Sequence, residues 1–141
     1  MAYATQQDII DRYGNDALFV VADRDNDNVI DAVVVDGALS DATDEINAYV
    51  ASKYALPLAT VPPVLKRMCV DIALYRLSPD GSYTEEKRQR YEDAVKLLTK
   101  FSNGDASLGL PENSTPDSAV GDVELISSDR QFSRRTMGRL L

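Results

Sequence analysis

Apolar residues along this chain recur mostly three and four positions apart, the spacing of one side of an α-helix. Between Asp31 and Tyr54 the stripe Val35, Leu39, Ala42, Ile46, Tyr49 and Val50 predicts the longest element, a core-facing helix. Two caps, Asp31 and Asp36, compete for its start, and the β-branched run Val33-Val34-Val35 between them favours Asp36. Ahead of it, Thr5 and Asp8 form an N-cap pair, Ile9, Ile10 and Tyr13 supply an apolar side, and Gly14 stops the first helix. Leu18, Phe19 and Val21 predict a short second one.

The stretch Ile46 to Leu65 joins the end of the long helix to an extended Leu56-Pro57-Leu58 connector and a Pro-started helix. Pro57 forces Leu56 out of the helical region, while Pro62 and Pro63 sit where a new helix tolerates missing N–H donors. Tyr49 and Tyr54 indicate a packed corner, because large rings rarely line a free linker. The following helix is expected from about Pro63 to Leu77, with Leu65, Met68, Cys69, Ile72, Ala73 and Leu77 inward and a turn at Ser78-Pro79-Asp80-Gly81. A last helix, from about Thr84 to Ser102, carries Tyr91, Ala94, Val95, Leu98 and Phe101 before an Asn103-Gly104 stop. These two should pack antiparallel, with Glu86–Arg90 and Glu92–Lys96 as surface pairs four residues apart.

After Leu110-Pro111 the character changes. Residues 112–141 are rich in Ser, Asp, Pro and Gly, with apolar islands only at Val123-Glu124-Leu125-Ile126 and Phe132. Such a segment needs a partner to offset its ordering entropy. Val123, Leu125 and Ile126 can add as a strand to a sheet edge, and Arg130, Arg134, Arg135 and Arg139, with no acid after Asp129, can dock with Phe132 on an acidic neighbour. The expected organisation is thus a helical domain over 1–111 and an interaction arm over 112–141. The fold class is all-α, a small bundle of about four helices whose arm can add a short strand or hairpin in an assembly.

At 141 residues and 44% apolar content, the chain can bury one modest core. Its net charge of −8 is concentrated: residues 1–61 hold 11 acids against Arg12, Arg24 and Lys53. A surface so acidic repels phosphates and argues against nucleic-acid binding as the main role. It suits the wall of a channel through which DNA slides. No run of about 18 apolar residues occurs, and Met1-Ala2-Tyr3-Ala4-Thr5 lacks the features of a secretory signal, so a soluble, cytoplasmic chain without membrane contact is expected.

Candidate chemistry is sparse. With one cysteine and no histidine, a cysteine-based zinc site and an internal disulfide are excluded, and Cys69 reads as a small buried apolar residue. The segment Asp23 to Asp31 places Asp23, Asp25, Asp27 and Asp31 at positions one, three, five and nine of an EF-hand-like calcium loop. It departs from that pattern at position six, Asn28 instead of Gly, and at position twelve, where Val34 removes the closing bidentate carboxylate. No general base titrating near neutrality, phosphate cradle or nucleophile elbow is recognisable, and pairs such as Asp41 with Glu45 read as a hydrated helix face, so no enzymatic activity and no cofactor are expected. Asp71 stands within the apolar run Met68 to Leu74 and is expected to make a salt bridge or a helix–helix contact, with Arg67 and Arg76 as candidate partners.

Several short motifs share one order and spacing: Tyr3-Ala4-Thr5, Asp8 to Gly14, Asp23, Ala38 to Ala42, Ile46, Tyr54-Ala55-Leu56-Pro57-Leu58, Val61-Pro62, Asp71-Ile72-Ala73, Tyr75-Arg76-Leu77, Arg90-Tyr91, Asp93-Ala94 and Phe132-Ser133-Arg134-Arg135. Together they cover nearly the whole chain and resemble the Mu-like bacteriophage head–tail adaptor family, found in prophages. The resemblance implies a structural protein of the virion neck, made in the host bacterial cytoplasm. It implies a homo-oligomeric, dodecameric ring between the portal and a tail-side connector or stopper, with DNA passing unread through its channel. Gly37, Ala38, Ala42, Ala48 and Ala51 would let the long helix approach another closely, and equally suit packing within the chain. The alternative from another class is a monomeric calcium-responsive or regulatory module using loop 23–31.

Overall fold

The computed structural model describes residues 1–79 and 84–113, and all regular structure among them is helical. The order is α1 (Gln6–Tyr13), α2 (Asn15–Ala22), α3 (Ala32–Val50), α4 (Pro63–Leu77) and α5 (Glu85–Asn103). Residues 80–83 and 114–141 lie outside the described residues, and with them part of the expected 78–81 turn and the arm's Val123 to Arg139.

Local chemistry sets most boundaries. At α1 the Thr5 hydroxyl accepts from the Asp8 amide while the Asp8 carboxylate accepts from the Thr5 amide at 2.8 Å, a reciprocal capping box. Gly14, at φ +85°, donates its amide to Ile10 and turns the chain into α2 without steric penalty. Thr84 caps α5, accepting from the Lys87 amide at 3.3 Å, and Gly104 closes it in the left-handed conformation.

The start of α3 corrects the expectation of Asp36. The helix begins at Ala32, because the Asp31 amide donates to the Ala22 carbonyl at 3.1 Å and fixes the chain just ahead of it. Each β-branched residue lowers helix propensity by only about 0.5 kcal/mol, whereas burying a Val side chain stabilises by about 1.5 to 3 kcal/mol. Val35 is fully buried and Val34 packs against the core, so tertiary packing overrides local preference.

α3 is the spine. It packs against α4 and α5, which also pack on each other, while α1 and α2 close one side of the core. Leu39 and Ile46 of α3, Leu65, Met68 and Ile72 of α4, and Leu98 of α5 form its fully buried centre. Thr43 is a polar residue in this interior, and it is satisfied: its hydroxyl accepts from the Tyr3 amide at 3.1 Å and donates to the Leu39 carbonyl at 2.8 Å. Cys69 is buried beside it, and that burial pushes its thiol above the usual range, as befits the apolar role expected.

The corner after α3 is packed, as the tyrosines indicated. The Leu56–Pro57 bond is cis, and Tyr54 is buried, its hydroxyl accepting from the Leu108 amide at 3.0 Å. The segment after α5 therefore folds back onto this corner, and the Asn113 amide donates to the Lys53 carbonyl at 2.7 Å. On the α5 surface Glu86 pairs with Arg90 as expected, but Glu92 pairs with Arg88 at 3.7 Å and Lys96 with Asp93 at 3.7 Å. Three- and four-residue spacings are alternative neighbours on a helix, so sequence spacing leaves such choices open.

Candidate functional site

The loop from Asp23 to Asp31 brings together three of the four candidate oxygens. Ligand atoms of Asp23, Asp25 and Asp27 lie within 4.8 Å of one another. Asn26 and Asn28 adopt φ +58° and +63°, left-handed positions that asparagine accepts more readily than most residues. The carboxylates are nonetheless engaged by the loop itself: Asp27 accepts from the Val29 amide at 2.8 Å, Asp23 from the Asn28 amide at 3.2 Å, and Asp25 from the Asp27 amide at 3.3 Å. Asp23 Oδ1 is buried without a hydrogen-bond partner. Asp31 is outside the cluster, its carboxylate accepting from the Arg24 amide at 3.3 Å. Position twelve, Val34, packs against the core from α3. With one ligand atom from each of the three carboxylates and none from position twelve, the cluster supplies half or less of the six to eight oxygens that calcium takes.

A second cluster was not visible in the sequence. α1, α4 and α5 meet around a cleft of about 260 Å³ lined by Arg12, Tyr13, Arg67, Asp71, Arg90, Asp93 and Ala94. Asp71 makes the helix–helix contact expected of it, but with α1 rather than with Arg67 or Arg76. It accepts from the Tyr13 hydroxyl and lies 3.8 Å from Arg12, because its side of α4 faces α1. The guanidiniums of Arg12 and Arg90 lie 5.8 and 4.8 Å from the Tyr13 ring centroid, within cation–π range. Burial, and then the bond to Asp71, raises the Tyr13 hydroxyl above its ordinary range, so it is a neutral donor that ties α1 to α4.

Arg76 points instead to α3, where it donates to Glu45 at 2.6 Å. Tyr91 of α5 donates to the same carboxylate at 2.9 Å and stacks on Tyr75 with centroids 4.4 Å apart. Glu45 thus links three helices and is not the hydrated helix-face carboxylate expected, because Arg76 and Tyr91 draw it into the helix contacts, while Asp41 is exposed. The motif residues Tyr13, Asp71, Arg76, Arg90 and Tyr91 converge on these two clusters, although no spacing rule announces the contacts.

Two exposed apolar surfaces complete the picture. Val20, Val29 and Val33 are 72%, 60% and 85% exposed around the α2–α3 junction, the head of α3. At its other end Met1, Leu56 and Val61 are exposed, and Met1 and Val61 line a groove of about 160 Å³ with Tyr3, Asn47, Pro57 and Leu58. The small residues of α3 divide: Ala38 and Ala42 pack inside the chain, whereas Gly37, Ala48 and Ala51 are exposed. The arm residues Val123, Leu125, Ile126, Arg130, Phe132, Arg134, Arg135 and Arg139 lie outside the described residues. Among the described residues no helix is long and apolar enough to cross a membrane.

A protein-family model described as Bacteriophage Mu, Gp36 matches residues 3–126. The chain is 34% identical over 134 residues to the Mu-like prophage FluMu protein gp36 of Haemophilus influenzae, covering 95% of this chain and 94% of that relative. It is 33% identical over 141 residues to gene product J of Escherichia phage Mu, covering 98% of this chain and 99% of that protein. With its all-helical fold and motifs distributed along the same length, this chain belongs to the Mu Gp36 family of bacteriophage proteins.

Proposed function

We propose that the chain is a non-enzymatic structural protein of the virion neck. In this reading it is a head–tail adaptor that forms a dodecameric ring between the portal and the tail-side connector or stopper. It is made in the host cytoplasm and ends in the virion. The exposed face of α3, with Asp36, Asp41 and Asp44, contributes an acidic wall past which DNA slides, since like charge repels phosphate. Residues 112–141 act as the arm that binds a neighbouring protein.

The reading rests above all on the two exposed apolar surfaces at opposite ends of α3, in a chain of a bacteriophage family. A head-to-tail contact repeated between copies would bury both. Electron microscopy and sedimentation of the full chain mixed with portal test it. Rings on the portal are expected, and persistent monomers that ignore portal would overturn it.

The cluster of Asp23, Asp25 and Asp27, with its unpaired buried oxygen, supports a second reading, a calcium-responsive module. Calorimetry separates the two: the adaptor reading expects no binding heat at millimolar calcium, and a saturable heat would favour the module.

A further inference from the structure

We infer that the acidic, valine-bearing head of α3 is the docking site for the basic arm, residues 130–141, of a second copy of this chain. The inference rests on the ring reading and names its subunit contact. The Asp31 amide is bonded to the Ala22 carbonyl at 3.1 Å. Val20 lies two residues from Ala22, and Val29 and Val33 each lie two residues from Asp31, so the three exposed side chains stand within about 20 Å of one another. Between Val20 and Val33 the chain carries Asp23, Asp25, Asp27 and Asp31 against a single base, Arg24. An apolar patch with an acidic rim fits a partner that presents apolar groups among cations.

Residues 130–141 have that chemistry. Arg130, Arg134, Arg135 and Arg139 occur without an acid, and Phe132 and Leu140 interrupt them with apolar surface. Guanidiniums suit this rim because each can take a carboxylate in a two-pronged hydrogen bond.

The path of the chain favours a second copy. The last described residue, Asn113, is bonded to Lys53, which follows the C-terminal end of α3. The arm therefore departs about 28 Å from the valine-bearing head, at the opposite end of the 19-residue helix. A donor at one end and an acceptor at the other make a heterologous contact, which closes into a ring or continues as a filament. The stretch from Asn113 to Arg130 reaches at most about 60 Å when extended, enough to cross to a neighbour. The same reach includes the chain's own head, so the test must tell copies apart.

Full-length Val33→Cys and Phe132→Cys chains, mixed under mild oxidation with portal present, provide that test. The native Cys69 is buried, and unsubstituted chain serves as the control. Mixed V33C–F132C disulfides are expected to exceed either homodimer several-fold. Asp25→Lys with Asp27→Lys on the V33C chain should lower the yield several-fold, and Arg134→Glu with Arg135→Glu on the F132C chain should restore it. Equal mixed and homodimer yields, yields indifferent to both reversals, or a doubly substituted chain linking only within itself would each overturn the inference. Normal rings formed by an R134E/R135E chain would also overturn this contact while leaving the adaptor reading standing. If unsubstituted chain forms no rings on portal, the adaptor reading falls, and the disulfide yields at high concentration without portal still decide the contact.

Discussion

The carboxylates of loop 23–31 and those of Asp71 and Glu45 do opposite things with the same chemical group. In the loop, acceptor and donor are two to seven residues apart, and the carboxylates shape a turn. Asp71 and Glu45 instead take hydrogen bonds from Tyr13, Tyr91 and Arg76, partners 58, 46 and 31 residues away, and join helices. A local bond sets direction at little energetic consequence, because water is the ready alternative. A half-buried bond between helices carries stability, because its loss strands a donor away from solvent.

The contrast can be broken from its stronger side first. Asp71→Ala removes the acceptor of Tyr13 and the partner of Arg12, and is expected to destabilise by about 2 kcal/mol in urea unfolding. Combined with Tyr13→Phe, much of that loss should coincide, revealing coupling in a double-mutant cycle. Glu45→Ala should destabilise by about 1 to 2 kcal/mol, since it releases Arg76 and Tyr91 together, although Arg76 retains access to water.

Alkali provides a third way in. Burial and then the bond to Asp71 raises Tyr13, and burial and then the bond to Glu45 raises Tyr91. The folded state thus holds both phenolic protons more tightly than the unfolded chain does. Their stabilisation is fully present below the ordinary tyrosine range near pH 10 and is lost as pH rises through it toward the raised values. Thermal melts should fall in that window, and less steeply in the Tyr13→Phe, Tyr91→Phe chain. The smallest effect belongs to the loop: Asp25→Asn with Asp27→Asn should change stability by less than about 0.5 kcal/mol, because the amide oxygen still accepts the loop N–H bonds. A loss as large as that of Asp71→Ala would erase the distinction.

Which features the sequence disclosed follows the same division between local and distant partners. The Thr5–Asp8 box, the Gly14 and Gly104 stops and the Pro-led α4 each depend on residues a few positions apart, and each formed where expected. The buried stripe Val35, Leu39, Ala42 and Ile46 was also legible, because apolar spacing states which face must leave water. That Asp71 would join helices or form a salt bridge was legible, but its partners were not, because helix-local candidates were the visible ones and the orientation of α4 against α1 decided the matter. The start of α3 was misplaced for a related reason, a single tertiary hydrogen bond between Asp31 and Ala22 together with the burial of Val35.

By itself, then, the sequence determined an all-α chain of apolar-striped segments, most of their stops and an excess of acid in the first half, since all are properties of neighbours along a chain. Only the tertiary structure decided which helices share a carboxylate, and that three valines remain in water at one end of α3. Those depend on how rigid helices orient against one another, which short-range periodicity does not encode.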